Sequence, residues 1–394
     1  MRILRLIRSL NPAGGGPIEG LKQITPFLSR SGIDSVVASL DPPTSAWLSD
    51  LPFQTIPLGP VLGGYGYRPG LVSALSALSP CFDAVIVEGL WQYHALAAWR
   101  AFHGASIPYY VFVHGMLDPW FKHTYPLKHI KKSLYWPFAD FQLLRDAAGV
   151  LFTTGAERDL ARQSFTRYLA NEYVVGYGAA SPPSVSSVDV DAFFSSFPVL
   201  RGKDIFLFLG RLHPKKGVDL LIQSFASIAR QDPSRHLVLA GPIHCSYQRE
   251  LLSLIQALSL ETQITWTGPL SGSMKWAAFS ISQLFCLPSH QENFGVAVAE
   301  ALSVGLPVCI SHAVNISYLV ERFGAGIVHT DTLDGTIHAF SRWVAIDPAS
   351  RVLMSRSAKH LFSSQFDWSH VSEHLAELLI CRSTSVKPLI IPQD

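Results

Sequence analysis

The sequence predicts an α/β fold made of two parallel-sheet domains, one in each half of the chain. Three observations point there. Short β-rich runs ending at turn residues recur along the chain, helical patterns lie between most of them, and the alternation happens twice. Strand alternating with helix predicts a parallel sheet covered on both faces. A chain of 394 residues is also too long for one compact core.

The opening residues alternate charged and apolar side chains, whereas a signal peptide needs an unbroken apolar core, so Arg2–Arg8 reads as a first strand. Ser35–Ser39, Ala84–Glu88, Tyr109–His114 and Val150–Thr154 complete the first set. The second set is Ile205–Leu209, Leu237–Ala240, Ile264–Thr267, Gln283–Leu287 and Val308–Ser311, with helical patterns over Leu220–Arg230 and Glu250–Leu258. Between the sets, a turn- and Ser-rich stretch runs from Ser181 to about Lys203 and is the expected seam. The expected domains are therefore 1–180 and 204–365. A last helical pattern, Val371–Leu379, follows Phe366-Asp367-Trp368.

Hydrophobic content of 48% against 15% charged allows large cores and excludes a disordered chain. A formal charge of +2 gives no general attraction to nucleic acid, and none is expected as a partner. The five cysteines form no C-x-x-C, and several lie in apolar strands where Cys acts as a small hydrophobe. They predict a reducing, cytoplasmic setting without disulfides or structural zinc. No uncharged apolar run reaches the ~18 residues that a membrane span needs.

The most informative stretch is Pro288 to Leu302. Pro288 and Ser289 break the strand before it, Gly295 leaves the backbone open, and Phe294–Val304 fits a packed helix stopped by Gly305. Glu292 and Glu300 straddle the start of that helix. At ~100° per residue, eight steps return Glu300 to within ~80° of Glu292, so both can face one cleft. Helix N–H groups between them suit a phosphate or a developing anion, and two fixed carboxylates can hold two sets of hydroxyls. A second element, Gly210-Arg211-Leu212-His213-Pro214-Lys215-Lys216-Gly217, follows a strand and opens a helix. An arginine and a lysine leaving one strand end can clamp a diphosphate. Basic loop residues are also often only solvated.

Glu292 to Glu300, with Asn293-Phe294-Gly295 inside and Gly305-Leu306-Pro307-Val308 behind, resembles the E-x7-E signature of the retaining glycosyltransferases of family GT4. These have the GT-B fold, two Rossmann-like domains facing across a cleft. Gly210 to Gly217 is similar to the family's G-R-x4-K-G element, and the resemblance puts Arg211 and Lys216 on the diphosphate. Lys215 lies off the pattern and reads as a surface charge. The resemblance further implies that Glu292 contacts the transferred sugar and Glu300 the ribose, that Gly15 and Gly16 belong to a glycine-rich loop closing on the donor, and that His114 holds the donor's C6 hydroxyl. It implies backbone contacts from Gly268 and Leu270 to the nucleobase, and a final helix over 366–394 returning to the N-terminal domain. Val174-Val175-Gly176-Tyr177-Gly178 departs from the Pro-Asn-Gly that relatives often carry.

Trp120 to Trp136 mixes basic and aromatic residues and leaves three readings open: a peripheral contact with the inner membrane face, an acceptor-glycan grip, or a solvated helix with aromatic anchors. No Asp-x-Asp stands beside a strand end in the second half, so no obligatory metal or other cofactor is expected. The expected reaction is hexosyl transfer from a nucleotide sugar, UDP-glucose before GDP-mannose, to a glycan or lipid-linked acceptor hydroxyl in polysaccharide or glycolipid biosynthesis. A GT-B-fold sugar-nucleotide epimerase and a non-catalytic binding protein are the alternatives.

Overall fold

The computed structural model describes residues 1–383. The chain forms two compact units: Met1–Gly178 with Trp368–Ser383, and Ala179–Asp367.

The first unit holds β1 (Arg2–Ile7), β2 (Asp34–Ser39), β3 (Gln54–Pro57), β4 (Ala84–Glu88), β5 (Tyr109–Phe112), β6 (Gly149–Phe152) and β7 (Glu172–Val174). They form one parallel sheet in the order β3-β2-β1-β4-β5-β6-β7. The central strands are apolar on both faces because helices cover both, and Val85, Val87, Val111 and Val150 lie in a fully buried cluster. The second unit holds β8 (Asp204–Leu209), β9 (Arg235–Ala240), β10 (Ile264–Gly268), β11 (Ser282–Leu287), β12 (Val308–Ser311) and β13 (Gly326–His329), in the order β10-β9-β8-β11-β12-β13, again all parallel. In each sheet the strand order reverses once, between β1 and β4 and between β8 and β11. Crevices at such switch points, beyond the carboxyl ends of the strands, are where open parallel sheets take ligands.

Several expectations need correction. The stretch expected as a linker to Lys203 contains a helix, Ser187–Ser196, with a capping box in which the Ser186 side chain and Asp189 satisfy each other's backbone N–H groups. Its Phe193 is buried, so the second unit begins at Ala179 rather than at 204. The strand expected through His114 stops at Phe112, and the one expected through Thr154 stops at Phe152. The last described helix is Trp368–Ser383, since Phe362–Phe366 is a π-helical turn of the second unit; 384–394 lie outside the described residues. That helix packs on Gly16–Arg30 of the first unit, with Trp368 Nε1 donating to Gln23 Oε1 at 2.7 Å.

Candidate functional site

In the second unit the two basic and acidic motifs leave neighbouring strands at the switch point. The loop after β8 carries Gly210, Arg211 and Lys216, and the loop after β11 carries Glu292 to Gly295. Backbone contact fixes their spacing. His290 N donates to Lys215 O at 2.9 Å, and a side chain on Gly217 would collide with the Pro288 carbonyl oxygen. Gly217 also has φ 63°, a left-handed conformation that favours glycine. The two loops therefore touch main chain to main chain.

This contact delivers Lys216 Nζ onto Glu292 Oε2 as a hydrogen-bonded ion pair. Burial, then the charges of Lys215 and Arg211, push the Lys216 ammonium down toward about 7. The Glu292 carboxylate opposes that push. Lys215 is not the free surface charge its position suggested: half-buried, it donates to Gln291 Oε1 at 2.6 Å. Arg211 is exposed and has no ion-pair partner among the described residues.

Glu292 is not on the helix. The helix is Val296–Ser303, starting after Gly295 at φ 80°, so helical periodicity does not relate Glu292 to Glu300. Glu292 is instead stitched to the loop after β12, its N–H donating to Ala313 O at 2.9 Å and its carbonyl accepting from Asn315 N at 3.0 Å. Asn315 Nδ2 also donates to Asn293 Oδ1 at 3.3 Å. The Phe294 ring is buried edge-on against Phe366, which leaves its backbone rather than its side chain for a ligand. Glu300 does lie on the helix, is buried, and accepts from Lys275 Nζ at 2.7 Å. Gly268 ends β10 with φ 70°, and the half-buried Leu270 follows before the helix Gly272–Ser280 that carries Lys275.

In the first unit, Gly15 has φ 77° and Gly16 opens the helix Gly16–Arg30, with Pro17 in its first turn, where a missing N–H is harmless. Tyr177 Oη donates to Gly16 O at 2.8 Å and sits where Gly20 has no side chain. Tyr177 stands edge-on to Phe112 and His114. The departure at Val174–Gly178 thus supplies an anchor for the glycine-rich loop.

His114 lies two residues beyond β5 at φ 49°, a strained conformation for a side chain of this size. Its ring stacks on Phe112 at 4.4 Å, and Nε2 meets Glu88 Oε2 at 2.6 Å. Glu88 Oε1 accepts from Arg5 Nε at 2.7 Å and Nη2 at 2.6 Å. Burial pushes the Glu88 carboxyl up, but Arg5 and His114 outweigh it and hold it below its ordinary value. Glu157, buried beneath the same loop, accepts from the Gly115 and Thr153 N–H groups. Arg5, Glu88, Glu157, Lys275 and Tyr177 were not singled out in the sequence. Only the odd placement of charges inside apolar strands hinted at the first two.

The Trp120–Trp136 segment forms helices Trp120–Thr124 and Pro126–Tyr135. Leu127, Ile130 and Leu134 fall on one exposed face, with Leu127 77% and Leu134 70% exposed, and Phe138 follows at 78%. Lys122, Lys128 and Lys131 are exposed beside them. Lys132 turns inward, 4.2 Å from the Trp91 ring. Among the described residues no helix is long and apolar enough to cross a membrane.

Residues 189–361 match the family model of glycosyl transferases group 1, and residues 15–177 match that of the glycosyl transferase 4-like domain. The D-inositol 3-phosphate glycosyltransferase of Saccharomonospora viridis is 26% identical over 44% of this chain and 42% of its own length. The alpha-D-kanosaminyltransferase of Streptomyces kanamyceticus is 26% identical over 61% of this chain and 62% of its own. The chain thus spans about two fifths to three fifths of the length of these curated relatives. Among solved structures, Anabaena HepE in complex with UDP and glucose superposes with a TM-score of 0.75 at 20% identity, covering 96% of this chain and 99% of that one. Sucrose-phosphate synthase of Thermosynechococcus elongatus gives 0.76 at 18%, covering 98% and 100%.

Proposed function

The chain belongs to the GT4 glycosyltransferases with the GT-B fold, and from that premise we propose that it moves a hexosyl group from a nucleotide sugar to an acceptor hydroxyl with retention at the anomeric carbon. The observation that carries this reading is the Lys216–Glu292 pair at the switch point of the second sheet, with exposed Arg211 leaving the same strand end. An anionic diphosphate would find two cations there, and the sugar attached to it would meet a carboxylate already fixed in place. Glu300, on the following helix, takes the ribose, and the turn Gly268–Leu270 borders the base. Charge growing on the leaving diphosphate is met by Arg211, Lys216 and the helix N-terminus, with no obligatory metal. The leaving phosphate itself accepts the acceptor's proton.

UDP-glucose is the proposed donor. HepE, bound to UDP and glucose, shares the fold with this chain. UDP at about 100 times its Kd should raise stability by ~2.7 kcal/mol, read as a rise in Tm. Stabilisation by GDP and not by UDP would move the donor to GDP-mannose, and indifference to both would remove the transferase reading. Proton NMR of the product's anomeric centre tests retention.

The exposed face Leu127, Ile130, Leu134 and Phe138, flanked by Lys122, Lys128 and Lys131, supports a peripheral seat on anionic lipid. Apolar side chains enter the headgroup boundary while each lysine near the surface contributes ~1 kcal/mol. Co-sedimentation should show binding to vesicles containing phosphatidylglycerol, loss in Leu134→Glu, and weakening by salt. Equal binding to zwitterionic vesicles would count against it.

A further inference from the structure

We propose that Lys275 is a positioning residue for Glu300 and, through it, a determinant of selectivity for nucleotides with an intact ribose diol. The proposal rests on the reading of Glu300 as the ribose-binding carboxylate. Glu300 is only 5% exposed. A carboxylate this deep is unstable as an anion unless a counter-charge reaches it, and without one it takes up a proton. A protonated carboxyl turns one of its oxygens into a donor and accepts from two hydroxyls much more weakly than a carboxylate does. Lys275 Nζ stands 2.7 Å from Oε1 and is the counter-charge. By engaging that oxygen it also restrains the rotation of the carboxyl group.

The lysine is itself held. Its ammonium lies 4.7 Å from the centre of the buried Trp276 ring, a cation–π distance. It stands near the start of the helix Gly272–Ser280, which leads directly out of the turn Gly268–Leu270. The element proposed to border the base and the one that orients the ribose carboxylate are thus consecutive in the chain, with nothing flexible and long between them. Lys275 therefore repeats at the ribose what Lys216 does at Glu292: each glutamate comes with a lysine on a neighbouring element.

The test is a ratio. Isothermal titration of the full chain with UDP and with 2′-deoxy-UDP, repeated with the guanine pair, measures the preference for the diol. A buried carboxylate set to accept from a hydroxyl rejects a ligand lacking it, so the wild type should prefer the ribonucleotide by about tenfold or more. Lys275→Met should weaken the ribonucleotide and leave the deoxynucleotide nearly unchanged, closing the ratio to about twofold, the same pattern as Glu300→Gln. A merely structural lysine would weaken both ligands alike and leave the ratio standing, and that result overturns the proposal. Should Lys275→Met fail to fold, Lys275→Gln, which keeps a donor without the charge, decides on the same ratio. A wild type that binds neither nucleotide pair would instead overturn the donor-site reading itself.

Discussion

Replacing Arg5 with methionine is expected to destabilise the protein by about 3–5 kcal/mol, the cost of leaving a buried charge without its partner. Arg5 is 3% exposed on β1, and its guanidinium holds one oxygen of Glu88 on the adjacent β4, while His114 holds the other. Without Arg5 the carboxylate keeps only the histidine. The pH dependence should change sense as well. Because Glu88 is held below its ordinary value, its contribution in the wild type is fully present above that ordinary value and is lost as pH falls. In Arg5→Met burial acts with weaker opposition, its carboxyl rises, and stability should fall with increasing pH instead. Urea unfolding followed by circular dichroism at pH 7 and pH 4.5 reads both effects. Removing both charges together, as Arg5→Met with Glu88→Met, should recover part of the loss. A single variant with the wild-type midpoint at both pH values would show that the pair carries no net stability.

Arg211→Ala and Lys216→Ala are each expected to cost ~2–4 kcal/mol of transition-state stabilisation, roughly 30- to 1,000-fold in kcat/KM. The two should differ in everything else. Arg211 is exposed and without an ion-pair partner among the described residues, so its removal should leave Tm unchanged. Lys216 neutralises Glu292, so its removal leaves a half-buried carboxylate alone and should lower Tm too. If both act on the same diphosphate oxygens their losses will not add. EDTA should leave the wild-type rate nearly unchanged. A chelator-sensitive enzyme whose two variants keep normal rates would mean that a metal, and not these cations, meets the leaving charge.

How far the sequence could be read depended on where an element lies in its sheet. The central strands announce themselves as apolar runs because both faces are covered. The strands that escaped notice, Gln54–Pro57, Glu172–Val174 and Gly326–His329, are all sheet edges. An edge strand is short and half wet, and Gln54–Pro57 buries none of its residues fully, so no apolar run marks it. The Ser-rich stretch after Ser181 misled because Ser186 is a helix cap and not a linker residue. In the site, motif spacing led to Arg211, Lys216, Glu292 and Glu300, yet it could not show that each glutamate is met by a lysine. Lys275 is 25 positions from Glu300 and Arg5 is 83 from Glu88. Only the completed sheet and its covering helices bring such residues together, and no local pattern encodes them.

The helix Trp368–Ser383 packs against Gly16–Arg30, and Trp368 closes over Tyr177, yet the whole of the second unit lies between them in the chain. Synthesis runs from the N-terminus, so the unit begun first is finished last. While the ribosome makes Ala179–Asp367, an unbroken stretch that can complete its own sheet, the first unit waits with Leu21, Ile24 and Tyr177 uncovered. A nascent chain of this protein thus carries an unsealed apolar seam while Ala179–Asp367 is being made, and the seal arrives only with the helix Trp368–Ser383.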